Sequence, residues 1–231
     1  MTERHKELSK SWIANADNWV RAVRDGQIPS RRAGTDQAIL EAISRAIGER
    51  YPVKLLDIGC GEGWLLRRLA GTPGLQGVGI DASAPLIEAA RQADPVNRYD
   101  VVSYAELIEG SDSLGGGFDV IAFNFALFED DSLGILDAAR ERLTGGGAIV
   151  IQTLHPDVGE SCGKTHDGWQ VEDFSAFENQ DWTPMPWYFR TQESWQKVVR
   201  NANLTLRELI EPTAGPGQAP MSLLMVCESK S

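Results

Sequence analysis

A strand that runs directly into a glycine-rich loop constrains this chain more than any other feature. The apolar run Val53–Ile58 is followed by Gly59–Gly63, which reads GCGEG, and then by the helical stretch Trp64–Ala70. Glycines permit tight turns and let a ligand approach the backbone closely, and the helix beyond offers unpaired N–H groups. An ordinary strand-to-helix turn also uses glycines, so the triplet alone is a weak signal. The strand–loop–helix order favours a ligand site.

Strands and helices alternate along the chain beyond this loop. Apolar runs predict further strands at residues 75–80, 99–102, 118–125 and 148–154, with helices at 83–93 and 133–143. A helix at 191–201 and two strands, at 204–210 and 222–227, close the chain. Such alternation is typical of βαβ crossovers, so we expect an α/β fold with a mostly parallel sheet and helices on both faces.

The most economical division of the chain is one domain with four parts. These are an N-terminal helical cap at residues 1–34, a cofactor-binding core at 35–154, an aromatic-rich insertion at 155–190, and a closing helix and strands at 191–231. In the cap, Trp12 and Trp19 lie at helical spacing, which predicts one amphipathic helix with an aromatic face.

Two acidic residues indicate which ligand the glycine loop receives. The dinucleotide fingerprint GxGxxG requires glycine at position 64, where this chain has Trp64. Asp57 would repel a pyrophosphate but attract the sulfonium and ammonium groups of S-adenosylmethionine. Asp81 follows about 20 residues beyond the loop, where an acid can accept hydrogen bonds from ribose hydroxyls. It could instead cap the next helix, although Ser83 is better suited to that role.

Three segments together resemble a known family. Residues 55–63, 77–82 and 118–127 are similar to motif I, motif post-I and the fourth-strand segment of class I S-adenosylmethionine-dependent methyltransferases. The resemblance covers residues 35–154 well and the closing elements less specifically. It implies a Rossmann-like, seven-stranded sheet whose last strand is antiparallel. It also implies S-adenosylmethionine as cofactor, S-adenosylhomocysteine as product and methyl transfer to a small molecule.

The resemblance further implies a set of cofactor-binding residues. Asp57 and the loop glycines Gly59, Gly61 and Gly63 would line the methionine end, and Asp81 would hold the ribose. We expect further contacts from Cys60, Ala82, Tyr104, Ala105 and Asn124. Many relatives carry Asp-Ala after the third strand, whereas this chain reads Tyr104-Ala105-Glu106, so the adenine contact is expected to differ.

The cap is a candidate lid over the cofactor. Its aromatic face precedes an arginine pair, and Arg31 of that pair is the candidate to bind the methionine carboxylate. The alternative is a helix that simply packs on the sheet and leaves the arginines in solvent.

Residues after the fourth and fifth strands bear on the chemistry. Metal-dependent catechol-type relatives carry aspartates there, but this chain has Asn124 and His155, so we expect no metal site. The tetrad typical of nucleobase amino methylases is also missing, since Asn124–Leu127 reads NFAL. His155 is the candidate catalytic residue as a general base. It could equally orient the substrate or hydrogen-bond the loop backbone.

The insertion carries more aromatic residues than a solvated loop would. They are Trp169, Phe174, Phe177, Trp182, Trp187, Tyr188 and Phe189. We expect residues 185–190 to form a strand that pairs with residues 168–174 as a small flap. Trp187, Tyr188 and Arg190, together with His155, are then the candidate substrate-binding residues for a compact, partly apolar acceptor. A second small core or a dimer contact is the alternative.

Composition limits the partners further. A net charge of −11 disfavours nucleic acid, and no run approaches the roughly 18 apolar residues of a membrane span. Cys60, Cys162 and Cys227 are too dispersed for a zinc site or disulfides. With a polar N-terminus, these features predict a cytoplasmic protein, either monomer or homodimer. The alternative functions are a non-catalytic S-adenosylmethionine-binding regulator and a nicotinamide-dependent reductase.

Overall fold

The computed structural model describes residues 2–157, 166–177 and 181–230. Parts of the predicted insertion, and Cys162, lie outside these ranges. The helices are α1 (Glu3–Ala14), α2 (Ala16–Arg24), α3 (Asp36–Ile47), α4 (Trp64–Arg68), α5 (Ala84–Ala93), α6 (Tyr104–Glu109), α7 (Ser132–Arg140) and α8 (Gln192–Asn201), with a π-helical segment at Arg31–Thr35. The strands are β1 (Val53–Ile58), β2 (Leu75–Asp81), β3 (Arg98–Val101), β4 (Phe118–Asn124), β5 (Leu143–Leu154), β6 (Gly168–Glu172), β7 (Met185–Phe189), β8 (Leu204–Ile210) and β9 (Ser222–Ser229).

Seven of the strands form the main sheet, in the order β3-β2-β1-β4-β5-β9-β8. Strands β1 to β5 are parallel to one another, whereas β9 runs antiparallel to both β5 and β8. This confirms the predicted fold, in which the last strand of the chain is the antiparallel one. Because β1 to β5 share one direction, their carboxyl ends meet at a single edge of the sheet, where α/β proteins bind ligands.

Helices cover both faces of the sheet, as predicted, because side chains alternate along each strand. On one face Leu56 and Ile58 of β1 pack with α6, α7 and α8. On the other face Leu55 packs with α3, α4 and α5. The side chains of Leu55, Leu56 and Ile58 are all fully buried. Across the three described ranges, no helix is long and apolar enough to cross a membrane.

The predicted single N-terminal helix is in fact two helices. α1 ends at Ala14, α2 begins at Ala16, and Asn15 between them is buried. The Asn15 side-chain amide donates to the Thr183 carbonyl and accepts from the Thr183 N–H, both at 2.8 Å. This contact with a distant segment holds the break between the helices, and the regular spacing of Trp12 and Trp19 does not reveal it.

The helix before β5 is shorter than predicted. α7 ends at Arg140 and β5 already begins at Leu143, so glycines 145–147 belong to the strand. A β-carbon at Gly147 would lie 3.0 Å from the Asp119 carbonyl oxygen. Gly147 therefore permits two strands to approach each other closely. In the sequence alone, the same glycine looks like a residue that ends a helix.

A second, two-stranded sheet lies in the insertion. β6 and β7 pair antiparallel with Trp169 opposite Tyr188, which confirms the predicted hairpin. We refer to this hairpin as the flap, and to α1 and α2 together as the cap. Leu8, Trp12 and Trp19 of the cap pack into an apolar cluster with side chains from the flap region. The aromatic face of the cap therefore packs towards the flap.

Candidate functional site

The glycine loop crosses the carboxyl edge of the sheet between β1 and α4. Gly59 and Gly61 have φ values of 74° and 55°, a region that L side chains rarely adopt. A β-carbon at Gly59 would lie 2.5 Å from Cβ of Ala126, so the loop after β4 packs directly on Gly59. A β-carbon at Gly61 would meet nothing within 4 Å. Gly61 therefore faces open space in which a ligand can approach the backbone.

Asp57 of β1 is a buried carboxylate at this edge, 1% exposed. Its Oδ1 is buried and has no hydrogen-bond partner among the described residues. Burial, and secondarily the charge of Asp81, raises the pKa of Asp57 to about 8. A buried carboxylate without a partner is unfavourable, and a ligand that carries positive charge would favour its ionised form.

Asp81, the last residue of β2, is held by two backbone groups. Its Oδ2 accepts from the Gly61 N–H at 3.0 Å and its Oδ1 from the Ser83 N–H at 2.8 Å. Burial raises the pKa of Asp81, and these two hydrogen bonds lower it in part. Each oxygen keeps a lone pair for a further donor.

The expected side-chain cap from Ser83 does not form. Ser83 is the residue before α5, but its buried hydroxyl has no partner among the described residues. Pro85 stands at the second position of the helix and has no N–H to donate, which removes one of the two groups that a cap would accept from.

Tyr104 connects the loops that follow β3 and β4. Its hydroxyl donates to the Ala126 carbonyl at 2.9 Å. Glu106 forms a reciprocal capping box with Ser103 at the start of α6, so its carboxylate is engaged at that helix end. Of the other predicted cofactor residues, Cys60 and Gly63 are buried, Ala105 is half-buried and Ala82 is exposed.

Unpartnered acceptor atoms lie at this edge. Among them are Oδ1 of Asp57 and Oδ1 of Asn124, both buried and without a partner in the described part of the chain. Asn124 ends β4, which pairs with β1. Acceptors beside an acidic group fit a ligand with ammonium and sulfonium groups and do not fit a pyrophosphate. The residues present therefore fit S-adenosylmethionine. Within residues 2–157, 166–177 and 181–230, no group of three or more His, Cys, Asp or Glu side chains is arranged to hold a metal ion.

The cap is tied to the glycine loop through Glu62. The Glu62 carboxylate is 2% exposed and accepts from Arg24 of α2 at 2.7 Å and from Arg67 of α4 at 2.6 Å. Arg24 also donates to the Ala89 carbonyl of α5 at 3.0 Å. Glu62 was not predicted as a site residue, although a charged residue between the glycines of a loop needs a partner nearby when it is buried.

Arg31 lies beside the start of α4. Its Nε donates to Asp36 at 2.8 Å, and its guanidinium lies 4.2 Å from the ring centre of Trp64. Because Trp64 directly follows Gly63, these contacts bring Arg31 next to the glycine loop. The neighbouring Arg32 is exposed.

His155 is buried, and both of its ring nitrogens have partners. Nδ1 accepts from the Asp157 N–H at 3.2 Å, and Nε2 lies 3.0 Å from Oε1 of Glu211. A neutral ring that accepts at Nδ1 carries its proton on Nε2, which then donates to Glu211. His155 therefore joins the start of the insertion to the loop that follows β8.

The two faces of the flap have different surroundings. Trp187 packs with the cap-side cluster, whereas Tyr188 faces Trp169, with ring centres 5.5 Å apart. Arg190 is 8% exposed and donates to the Asp130 carbonyl. Its guanidinium also lies over the rings of Tyr188 and Trp195, at 4.8 and 5.4 Å. These contacts engage the charge of Arg190 within the protein.

An apolar cluster lies between the cap and the flap, at the carboxyl ends of β4 and β5. We refer to it as the aromatic cluster, and it consists of Leu8, Trp12, Trp19, Phe125, Phe128, Leu154, Phe174, Phe177, Trp182, Met185 and Trp187. The aromatic residues of the insertion were predicted from the sequence, whereas Phe125 and Phe128 were not. Their signal is the apolar run at residues 125–128, directly after β4.

The sheet order, the glycine loop after β1 and the acid that ends β2 are together those of a defined class. They are the features of class I S-adenosylmethionine-dependent methyltransferases, and they agree with the resemblance in the sequence.

Residues 31–209 match the family model described as a methyltransferase domain, and the chain belongs to this family. It is 28% identical over 156 residues to malonyl-[acyl-carrier protein] O-methyltransferase of Legionella pneumophila, over 66% of this chain and 51% of that protein. It is 31% identical over 121 residues to demethylmenaquinone methyltransferase of Chlorobaculum parvum, over 52% of this chain and 48% of that protein. The chain thus spans about half the length of these curated relatives.

A solved structure supports the fold. It is that of Burkholderia thailandensis 1,6-didemethyltoxoflavin-N1-methyltransferase with bound 1,6-didemethyltoxoflavin and S-adenosylhomocysteine. The TM-score is 0.66 at 13% identity, over 100% of this chain and 92% of that one. At this identity the likeness concerns the fold alone.

Proposed function

We propose that this protein transfers the methyl group of S-adenosylmethionine to a small molecule. The observation that carries the proposal is the buried, unpartnered carboxylate of Asp57 beside the glycine loop, since a cationic ligand compensates it. Family membership supports the reaction type. The names of the similar proteins support acceptors other than nucleic acid, namely malonyl-[acyl-carrier protein] and demethylmenaquinone.

In this proposal the carboxyl edge of the sheet holds the cofactor. Asp57 and Asn124 accept from the methionine end, and Asp81 accepts from the ribose hydroxyls. Arg31 binds the methionine carboxylate with its terminal amino groups, because its Nε is already bonded to Asp36. Further contacts come from Gly59, Cys60, Gly61, Gly63, Ala82, Tyr104 and Ala105.

S-adenosylmethionine supplies an electrophilic methyl group when it is bound. The contribution of this chain is alignment of the acceptor and exclusion of water, as an in-line displacement requires. The cap is suited to exclude water, because Arg24 ties it to the glycine loop while its aromatic face meets the flap region. Such a displacement needs no Lewis acid, and we propose that the protein acts without a metal.

We propose that His155 positions the insertion and does not act as the general base. Its Nδ1 already accepts a backbone N–H, and its Nε2 proton points to Glu211. A base at this position would have to give up one of these bonds before it could accept a proton. Trp187 remains a candidate for substrate contact. Tyr188 instead faces Trp169 on the other face of the flap, and the contacts of Arg190 favour a structural role.

Calorimetry with S-adenosylmethionine, S-adenosylhomocysteine, NADH and NADPH tests the proposal. We expect the first two to bind and the nicotinamides not to bind. Transfer from labelled S-adenosylmethionine is then measured over a library of phenols, carboxylic acids and amines, with and without EDTA. Binding without transfer to any acceptor would favour a regulatory protein, and binding of a nicotinamide alone would contradict the proposal.

A further inference from the structure

The aromatic cluster contains two hydrogen-bond donors that no described residue satisfies. Nε1 of Trp19 and Nε1 of Trp182 are buried, and neither has a hydrogen-bond partner among the described residues. The two rings are in contact, with centres 5.0 Å apart and planes at 73°. A buried N–H without an acceptor is unfavourable, so two in one cluster indicate that an acceptor belongs there.

Two aromatic residues of the same cluster have left-handed backbones. Phe125 has φ 51° and Phe174 has φ 58°, a conformation that bulky L residues rarely adopt. Such strain persists only where the surroundings impose it, and it recurs at ligand-binding sites. The Phe125 N–H donates to the Gln152 carbonyl at 2.7 Å, which fixes this residue against β5.

The cluster also lies where a methyl acceptor would have to lie. Phe125 directly follows Asn124, whose Oδ1 is an unpartnered acceptor at the carboxyl edge of the sheet. The cap encloses the cluster from the other side. It is held there by Asn15, bonded to Thr183, and by Asn18, whose side-chain amide donates to the Asp181 carbonyl at 2.9 Å. A molecule bound in the cluster would be shielded from water and adjacent to the methionine end of the cofactor.

We propose that the aromatic cluster is the methyl-acceptor pocket in its closed form, and that it takes a planar, largely apolar molecule with carbonyl or ether oxygens. The inference rests on the proposed methyl transfer. Aromatic walls favour a planar ligand through stacking and edge-to-face contacts. Aromatic rings alone would also attract a cation, but two N–H donors repel one. The donors therefore select an oxygen-bearing ring system over an amine.

Titration of the full chain with three planar carbonyl compounds tests the pocket. The probes are coumarin, chromone and anthraquinone-2-sulfonate, each added with saturating S-adenosylhomocysteine. Trp19→Phe and Trp182→Phe keep a ring and remove a donor. Trp169→Phe is the matched control, because Trp169 packs against Tyr188 on the other face of the flap.

We expect at least one probe to bind saturably. Its affinity should fall about tenfold in Trp19→Phe and in Trp182→Phe, the effect of one neutral hydrogen bond, and stay unchanged in Trp169→Phe. Naphthalene has no acceptor atom and should bind the wild type and the two donor variants equally. Saturable binding of tetramethylammonium in the cluster would contradict the proposed selectivity.

Indole ¹⁵N–¹H spectra provide a second measurement. The chain has seven tryptophans, and loss of one signal in each variant identifies Trp19 and Trp182. Both signals should move downfield when the probe binds, because each N–H then donates a hydrogen bond. If no probe binds saturably, or if binding leaves these signals and the variant affinities unchanged, the cluster is a second core and the inference is overturned. Failure of the wild type to bind S-adenosylhomocysteine would instead overturn the proposed function.

Discussion

Burial raises the pKa of Asp57 from 3.8 to about 8, which favours the protonated carboxyl in the ligand-free protein. In the unfolded chain the same carboxyl is ionised above its ordinary pKa. Its contribution to stability is therefore fully present below about pH 4 and is lost as the pH rises through about 8. A cationic ligand lowers the pKa of Asp57, because it binds the ionised carboxylate and the proton is released.

We therefore expect the affinity for S-adenosylmethionine to rise with pH, by up to about tenfold per unit, and to level off above about pH 8. Asp57→Asn should remove this dependence. Calorimetry over a pH series, in buffers with different ionisation enthalpies, would also count the released proton. Glu88→Gln, an exposed change on α5, is the matched control. An affinity that does not change with pH in the wild type would show that Asp57 does not face the cation.

Asp81→Ala should weaken S-adenosylhomocysteine binding by about 1–3 kcal/mol, because the ribose hydroxyls lose a charged acceptor. Asp81 also holds the Gly61 and Ser83 N–H groups, so the melting temperature of the ligand-free variant must be measured beside its affinity. Glu88→Ala serves as the control. Unchanged affinity in a folded Asp81→Ala protein would remove Asp81 from the ribose site.

The grouping of acids and glycines at the carboxyl edge of the sheet was predictable from sequence because its signals are local. Asp57 and the loop glycines lie within one strand–loop–helix unit, and Asp81 ends the next strand. The ion pair between Arg24 and Glu62 was not predictable, since it joins positions 38 residues apart and depends on where the cap docks. The Ser83 hydroxyl was expected to cap α5 but has no partner among the described residues, and Pro85 removes one of the two N–H groups that it could accept from.

Asn15 fastens the cap to the segment that leads into β7. The variant Asn15→Ala removes its paired hydrogen bonds with Thr183 and leaves the Thr183 carbonyl with only the longer bond from the Ser11 hydroxyl, at 3.2 Å. We expect a loss of about 1–3 kcal/mol in the free energy of unfolding. Hydrogen exchange should become faster in α1, α2 and residues 181–189 but not in β1 or β4.

Asp17→Asn is the control for this variant, because Asp17 is exposed in the first turn of α2. Equal exchange rates in the two variants would mean that Asn15 does not hold the cap in place.

Most of the helices and strands were predictable from the sequence, but their first and last residues were less so. β1 and β8 have the predicted bounds, because apolar runs with clear breakers mark them. The break between α1 and α2 depends on a partner 168 residues away, and no helical periodicity contains that information. The early start of β5 depends on the close approach of Gly147 to Asp119, which is a property of two paired strands.

The whole chain should unfold as one unit that includes the cap and the flap. The aromatic cluster joins residues 8–19 to residues 174–187 and packs against the carboxyl edge of the sheet, so none of its parts has an independent core. S-adenosylhomocysteine at about 100 times its dissociation constant should add about 2.7 kcal/mol and raise the temperature of a single calorimetric transition. NADH should leave that temperature unchanged. Two separate transitions would instead indicate that the cap and flap form a second domain.

The fold class was predictable because strands and helices alternate along most of the chain. The packing of the cap against the flap region was not predictable. It brings residues 8–19 against residues 174–187, two aromatic-rich segments that have no shared periodicity.

One pair of helices thus touches two neighbouring sites, the glycine loop through Arg24 and the aromatic cluster through Trp12 and Trp19. Two ligands that bind beneath the same pair of helices have linked equilibria. If binding of the first ligand raises the affinity for the second by some factor, binding of the second raises the affinity for the first by the same factor. The methyl donor and the methyl acceptor are then expected to bind in a preferred order and to dissociate only after α1 and α2 have moved away. Turnover would in that case be set by the opening rate of α1 and α2 rather than by methyl transfer itself.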